Sequence, residues 1–195
     1  QGGYGMYNLS GGTPAVSHPL VSQTGSGTKT PGRYIPVGQG FFVVADTNGS
    51  IEFNNTQRNF VKEGGSSIFM MGDTFDGKAA STNPSNYQPD DTRFDQEDTR
   101  TKFRIGFTAP SGLHRQLLLT LDKQTSFEYD RGYDGQIKDI QGDDMTWMVE
   151  DRNTVIQGVP NVLEQNVFPL YVQLATPGTF DIMLESEVFV HDPNL

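Results

Sequence analysis

The sequence predicts an all-β fold, an antiparallel β-sandwich of jelly-roll type with long polar loops. Three observations carry this expectation. Short segments alternate apolar and polar residues with period two, the pattern of a strand buried on one face. Gly, Pro, Asn and Asp separate those segments, and each suits the backbone of a tight turn. No long segment sustains the 3.6-residue period of an amphipathic helix.

Taken in order, Phe41-Phe42-Val43-Val44-Ala45 is a continuous apolar run, expected as a central strand covered on both faces. Asp46-Thr47-Asn48-Gly49 then favours a tight hairpin into Ile51 and Phe53. Phe103, Ile105 and Phe107 alternate against Lys102, Arg104 and Gly106, and Leu117, Leu119 and Leu121 repeat the pattern after Pro110-Ser111-Gly112. The pair reads as a hairpin. Met145, Trp147 and Val149 alternate in their turn. So do Phe168, Leu170, Val172 and Leu174, followed across Thr176-Pro177-Gly178-Thr179 by Phe180, Ile182 and Leu184, and these last two segments are expected as antiparallel neighbours. Trp147, Phe42, Phe103, Phe107, Leu119, Leu170 and Ile182 are the expected core. Residues 22–32, 72–101 and 129–144 are polar and read as long surface loops, the middle one longer than an ordinary connection.

The 195 residues fit a single sandwich domain over 1–195, or a fragment of one. Hydrophobic residues make up 34% of the chain, with 13 Phe and 7 Tyr, so a core can form without disulfides or metal. A formal charge of -10 repels phosphate backbones and anionic headgroups, which argues against nucleic acid as a partner. No stretch approaches the roughly 18 consecutive apolar residues of a membrane-spanning helix. The chain has no cysteine but 22 glycines, a balance that leans toward an exported, loop-rich β protein. Gln1 in place of Met is expected from either a removed signal or a cut from a longer protein, and His191-Asp192-Pro193-Asn194-Leu195 reads as an interruption as well.

The acidic residues are the first candidates for chemistry. Asp90, Asp91, Asp95, Glu97 and Asp98, with Asp130, Asp134, Asp139, Asp143 and Asp144, supply oxygen atoms of the kind calcium takes. No cofactor is expected; were calcium to bind, Asp130, Asp134 and Asp139 would form the candidate site. Asp130-Arg131-Gly132-Tyr133-Asp134-Gly135 lacks the twelve-residue acidic spacing of an EF-hand and Arg131 brings the wrong charge, so capping of turns is the favoured reading of these residues. Two carboxylates facing across a cleft would support glycoside hydrolysis, a geometry that sequence does not fix. His18, His114 and His191 lie far apart with no metal-binding spacing. Ser66-Ser67 and Ser111 lie outside any Gly-x-Ser-x-Gly elbow. No catalytic residue is expected. Tyr4, Tyr7, Tyr87, Phe94, Tyr129 and Tyr133 are aromatic residues in loops that could stack on sugar rings, with Tyr129 and Tyr133 the candidate ligand contacts, although burial in packing is the commoner fate of an aromatic ring.

Tyr34-Ile35-Pro36-Val37-Gly38-Gln39-Gly40-Phe41-Phe42-Val43, then Ile51-Glu52-Phe53-Asn54-Asn55 and Arg58, resembles a recurrent segment of Bacteroidetes surface proteins exported by the type IX secretion system. Phe103-Arg104-Ile105-Gly106-Phe107, the Tyr-Asp-Arg-Gly-Tyr-Asp core at 129–134, Val155 to Pro160, Phe168-Pro169-Leu170 and Gly178-Thr179-Phe180 follow in the order shown by those proteins. The resemblance covers most of the chain after residue 30. The usual Trp-Asn and Asn-Pro-Tyr-Pro start is missing, and the chain stops where further strands and a sorting domain would follow.

The resemblance implies a β-rich module preceding a C-terminal sorting domain, secreted and held at the cell surface. It implies the type IX translocon as a partner during export, and surface glycans or other surface proteins as partners afterwards. It carries no catalytic residues. The expected function is therefore a non-enzymatic structural or adhesive module, with a carbohydrate-binding module attached to a secreted hydrolase as the alternative and a hydrolase fragment as a further one.

Overall fold

The computed structural model describes residues 3–16, 29–45, 47–58 and 98–188. His18, Asp46, Ser66-Ser67, Tyr87, Asp90, Asp91, Phe94, Asp95, Glu97 and His191, with most of the expected loops at 22–32 and 72–101, lie outside the described residues. Within them the chain is all-β. It forms a two-stranded hairpin of β1 (Met6–Asn8) and β2 (Gly11–Thr13), and a seven-stranded sheet. The sheet comprises β3 (Lys102–Thr108), β4 (His114–Leu121), β5 (Gly135–Gln136), β6 (Asp144–Val149), β7 (Arg152–Val159), β8 (Leu170–Gln173) and β9 (Asp181–Val188). Its order is β8-β6-β7-β4-β3-β9, with β5 also paired to β7.

The hairpin expected around Pro110-Ser111-Gly112 is present. β3 and β4 pair antiparallel from Lys102↔Thr120 to Thr108↔His114. The turn closes with Ala109 N–H donating to Leu113 O at 2.8 Å, and Gly112 takes φ +82°, a conformation that costs glycine little. β6 follows the Met145-Trp147-Val149 alternation. A short turn through Glu150, at φ 52°, then reverses the chain into β7.

β4 and β7 pair parallel, Leu118↔Ile156 to Leu121↔Val159, so the sheet is mixed where pure antiparallel pairing was expected. Parallel neighbours need a long crossover, and residues 122–151 supply it, carrying β5 and β6 on the way. The last two alternating segments are not neighbours either: β8 and β9 close opposite edges of the sheet. Each segment does form a strand, but alternation reports a strand and not its partner.

The doubly covered central strands are β4 and β7. Leu117 to Thr120 are consecutively buried, and so are Thr154 to Val159. Phe41 to Ala45 do not form a strand. Phe42 is 84% exposed, which removes it from the core, as do the 38% and 46% exposures of Leu170 and Ile182 on the outer strands. Asn48-Gly49 does not nucleate a hairpin, and Ile51 and Phe53 are exposed. Asn54 instead caps a 3-10 turn at Asn55–Gln57.

Trp147, Phe107 and Leu119 are buried as expected, and Phe103 packs partly buried against them. The Trp147 indole N–H donates to Leu118 O at 3.2 Å, which satisfies its polar atom inside the core. The β1–β2 hairpin lies on the sheet. Arg104 Nη1 donates to Gly12 O at 3.0 Å, and the Thr120 hydroxyl donates to Ser10 O at 2.8 Å. Gly158 sits where hairpin, crossover loop and β7 converge. A Cβ there would lie 2.8 Å from Thr125 Cγ2 and 3.1 Å from both Ser10 Oγ and Tyr133 Cβ, closer than packed carbon atoms approach.

Candidate interaction surface

The crossover loop from Asp122 to Gly135 contains most of the candidate site residues. Thr125 N–H and hydroxyl both donate to Asp122 O, at 3.0 and 2.7 Å, which starts a tight turn. The Asp130 carboxylate accepts from the Ser126 N–H and, at 3.0 Å, from the Ser126 hydroxyl. The Asp134 carboxylate accepts from Asp130 N–H at 2.7 Å on one oxygen and from Gly158 N–H at 2.8 Å on the other. Asp134 thus clasps its own loop to β7. The loop also holds the hairpin, through Leu9 N–H to Gly132 O at 2.7 Å and Asn8 Nδ2 to Tyr133 O at 2.8 Å.

Asp139 is placed elsewhere. One of its carboxylate oxygens accepts from Tyr4 N–H at 3.2 Å. The three candidate calcium ligands therefore each meet a backbone N–H, and among the described residues no three His, Asp or Glu side chains converge to hold a metal ion. Their geometry is that of turn caps. Calcium and chelator are accordingly expected to leave the thermal midpoint of the protein unchanged. A rise of several degrees in calcium would assign the loop to metal binding instead, since a ligand of the folded state stabilises it by mass action.

Tyr129 and Tyr133 are half-buried. Tyr129 packs against the core and carries the Arg152 guanidinium 4.3 Å from its ring centroid, which occupies the face that a sugar would need. The Tyr133 hydroxyl donates to Gln124 Oε1 at 2.7 Å. Both rings are engaged in holding the loop.

A polar ladder, not anticipated from the sequence, crosses the face of β3, β4 and β9. β9 contains a bulge opposite Arg104 and Ile105, and Glu185 is its extra residue. Glu185 reaches over Gly106, accepting from His114 Nε2 at 2.8 Å and from Gln116 Nε2 at 2.6 Å. His114 Nδ1 lies 3.1 Å from the Thr108 hydroxyl, and Gln116 Oε1 accepts from Arg104 at 2.7 Å. Hydroxyl, imidazole and carboxylate stand in the order of a nucleophilic triad. Here Thr108 and His114 are directly paired residues of a hairpin, and the row continues into Gln116 and Arg104 to end on a backbone carbonyl. The ladder cross-braces strands. A surface depression lined by Phe53, Asn54, Asn55, Gln57 and Arg58 involves only the 51–58 segment and brings no residues of the sheet together.

Two further charged clusters are also structural. Arg100 joins Asp98 and Asp122 and donates to Leu9 O at 2.7 Å, and with Lys102 it holds the Asp98 carboxyl below the usual range. The Ser111 side chain, then the Thr176 backbone N–H, hold the Asp143 carboxyl low, tying the β3–β4 turn to the segment after β8.

The surface that lacks such a structural occupation is apolar. On β8, Leu170, Tyr171 and Val172 are 36–38% exposed, and on β9 Ile182, Met183 and Leu184 are 46–55% exposed. These strands end the sheet among the described residues. Phe41 to Val44 add a further exposed apolar run. Exposed apolar residues on outer strands make these edges the candidate contact surface.

The sequence model of a family described as a domain of unknown function, DUF8693, matches residues 2–189. The chain belongs to this family. No curated protein and no solved structure matches the chain. Among the described residues no helix is long and apolar enough to cross a membrane.

Proposed function

We propose that this DUF8693 domain is a non-enzymatic structural or adhesive module of a secreted Bacteroidetes cell-surface protein, exported as cargo of the type IX translocon. The observation that carries the contact role is the exposed apolar surface of β8 and β9, at both ends of a sheet whose interior is otherwise closed. Burying an aliphatic side chain contributes about 1.5–3 kcal/mol relative to leaving it exposed, so such a surface is stabilised by contact with another molecule. Among the described residues the side chains singled out for chemistry are engaged in turns, clasps and strand bracing, which supports a role in contact and not in turnover. The export route rests on the resemblance of the Tyr34–Val43 and Phe127–Asp134 segments to type IX cargo.

The test is the location of the full-length protein in a type IX-secreting bacterium. Added proteinase is expected to remove it from intact wild-type cells, and loss of the translocon is expected to retain it inside. Equal protection in both strains would refute the export assignment. A glycan array addresses the carbohydrate-binding alternative: specific binding lost on Tyr129→Ala or Tyr133→Ala would replace the adhesive reading with that one.

A further inference from the structure

We propose that Asn48 is a self-modifying site: its side-chain amide condenses with the backbone nitrogen of Gly49 and is replaced by an acid, without an enzyme. The inference stands apart from the contact role proposed above.

Asn48-Gly49 is the one Asn-Gly pair of the chain. It does not make the hairpin turn that such a pair favours. Asn48 lies in a bend instead, and both residues are exposed. Among the described residues neither the Asn48 side chain nor the Gly49 N–H takes part in a hydrogen bond. Nothing lies within 4 Å of the place a Gly49 Cβ would occupy. The nitrogen and the amide carbon are therefore free to approach, and glycine restricts the backbone least while placing no side chain in the path.

Other described residues show what closes this route. Asp134-Gly135 could form the same ring, but both Asp134 oxygens accept backbone N–H groups, Asp134 is 5% exposed, and a Cβ on Gly135 would meet Met6 Sδ. The Asn8 amide nitrogen donates to Tyr133 O at 2.8 Å, and Asn166 Oδ1 accepts from Leu163 N–H at 2.7 Å. Asn153 and Asn161 precede Thr and Val, whose branched side chains crowd the next backbone nitrogen.

The steps balance with water as the only co-reactant. The Gly49 nitrogen attacks Cγ of Asn48, its proton passes to the amide nitrogen, the bond from Cγ to that nitrogen breaks, and ammonia leaves behind a five-membered succinimide. Water then opens the ring. Attack at Cγ releases the Gly49 nitrogen from Cγ and gives an aspartyl residue. Attack at the main-chain carbonyl gives an isoaspartyl residue, with the backbone rerouted through Cβ and Cγ. Either product adds a negative charge at neutral pH. The second also lengthens the chain between the exposed apolar residues Phe41–Val44 and Ile51 and Phe53. A chain that persists thus carries a one-way mark of its age.

The test holds the native protein at mildly alkaline pH for days and reads the tryptic peptide 34–58 by mass spectrometry. Position 48 is expected to gain the mass difference between an amide and an acid before any other Asn reacts, with isoaspartyl product in excess of aspartyl. The folded chain is expected to react within about threefold of its rate in guanidinium chloride, because the fold adds little to the barrier. Gly49→Val is expected to slow the reaction about tenfold or more, and Asn48→Gln to abolish it. Conversion of another Asn while position 48 stays intact would overturn the proposal. So would protection of about tenfold or more in the folded chain relative to the denatured one. A Gly49→Val protein that reacts as fast as the native one would equally overturn it, since direct hydrolysis by water would then be the route.

Discussion

Arg115→Met is expected to lower the unfolding free energy by about 3–5 kcal/mol, the usual effect of leaving one member of a buried ion pair alone. Arg115 and Asp144 are 2% and 0% exposed and form a two-point contact, Nε to Oδ1 at 2.8 Å and Nη2 to Oδ2 at 2.6 Å. Asp144 also accepts from Gln141 N–H at 2.8 Å and Met145 N–H at 2.9 Å. The pair ties β4 to β6 across the intervening β7. Asp144→Asn should cost a similar amount, because the guanidinium then loses its counter-charge. The double variant should cost clearly less than the sum, the signature of direct coupling. Urea unfolding followed by Trp147 fluorescence measures all three. A loss below about 1 kcal/mol for Arg115→Met would mean that the pair is hydrated and not a core element.

The second large effect is at Asp134. Asp134→Ala leaves the N–H groups of Asp130 and Gly158 without their acceptor at a buried site, and a loss of about 2–5 kcal/mol follows from two unmade hydrogen bonds. The charge of Asp134 acts in the opposite sense. Burial pushes its carboxyl up to about 6 from an ordinary 3.8, outweighing the two N–H donors that favour the carboxylate. A folded value above the unfolded one means that this contribution to stability is fully present below about pH 4 and is lost as pH rises through about 6. Asp98 and Asp143 are held below the ordinary range, so theirs is present above it and is lost as pH falls. Stability from these three groups should therefore be greatest at about pH 4 and fall on either side. Relative to Asp134→Asn, the native protein should lose stability between pH 4 and 7, as read from thermal midpoints. Parallel profiles for the two proteins would show that Asp134 titrates as an ordinary carboxyl.

The strands that carried their own alternation were legible: β3, β4, β6, β8 and β9 follow period two. Pairing was not. The parallel contact of β4 with β7 and the separation of β8 from β9 depend on long-range packing, which local pattern does not encode. Phe41–Ala45 misled because an apolar run states only what would be stabilised by burial, and the covered strands are Leu117–Thr120 and Thr154–Val159.

The sequence did hold one overlooked signal. Arg115 occupies an inward position in step with Leu117, Leu119 and Leu121, and a charged residue there requires a buried counter-charge. Glu185 could be suspected only from the break in alternation after Leu184, since the bulge that aims it at His114 arises from pairing with β3. The Asp130–Asp134 loop drew notice for its oxygen atoms, but those oxygens are used by Ser126, Asp130 and Gly158.

Adhesion of protein-coated beads to the cells that produce the protein tests the proposed contact role most directly. Beads carrying the native domain are compared with equal loads of Ile182→Lys/Leu184→Lys and of Asp151→Lys, a control at an exposed position on the β6–β7 turn. The account predicts that the β9 variant binds about tenfold less, a change of roughly 1.4 kcal/mol, while the control binds like the native domain. Equal binding by all three would contradict it.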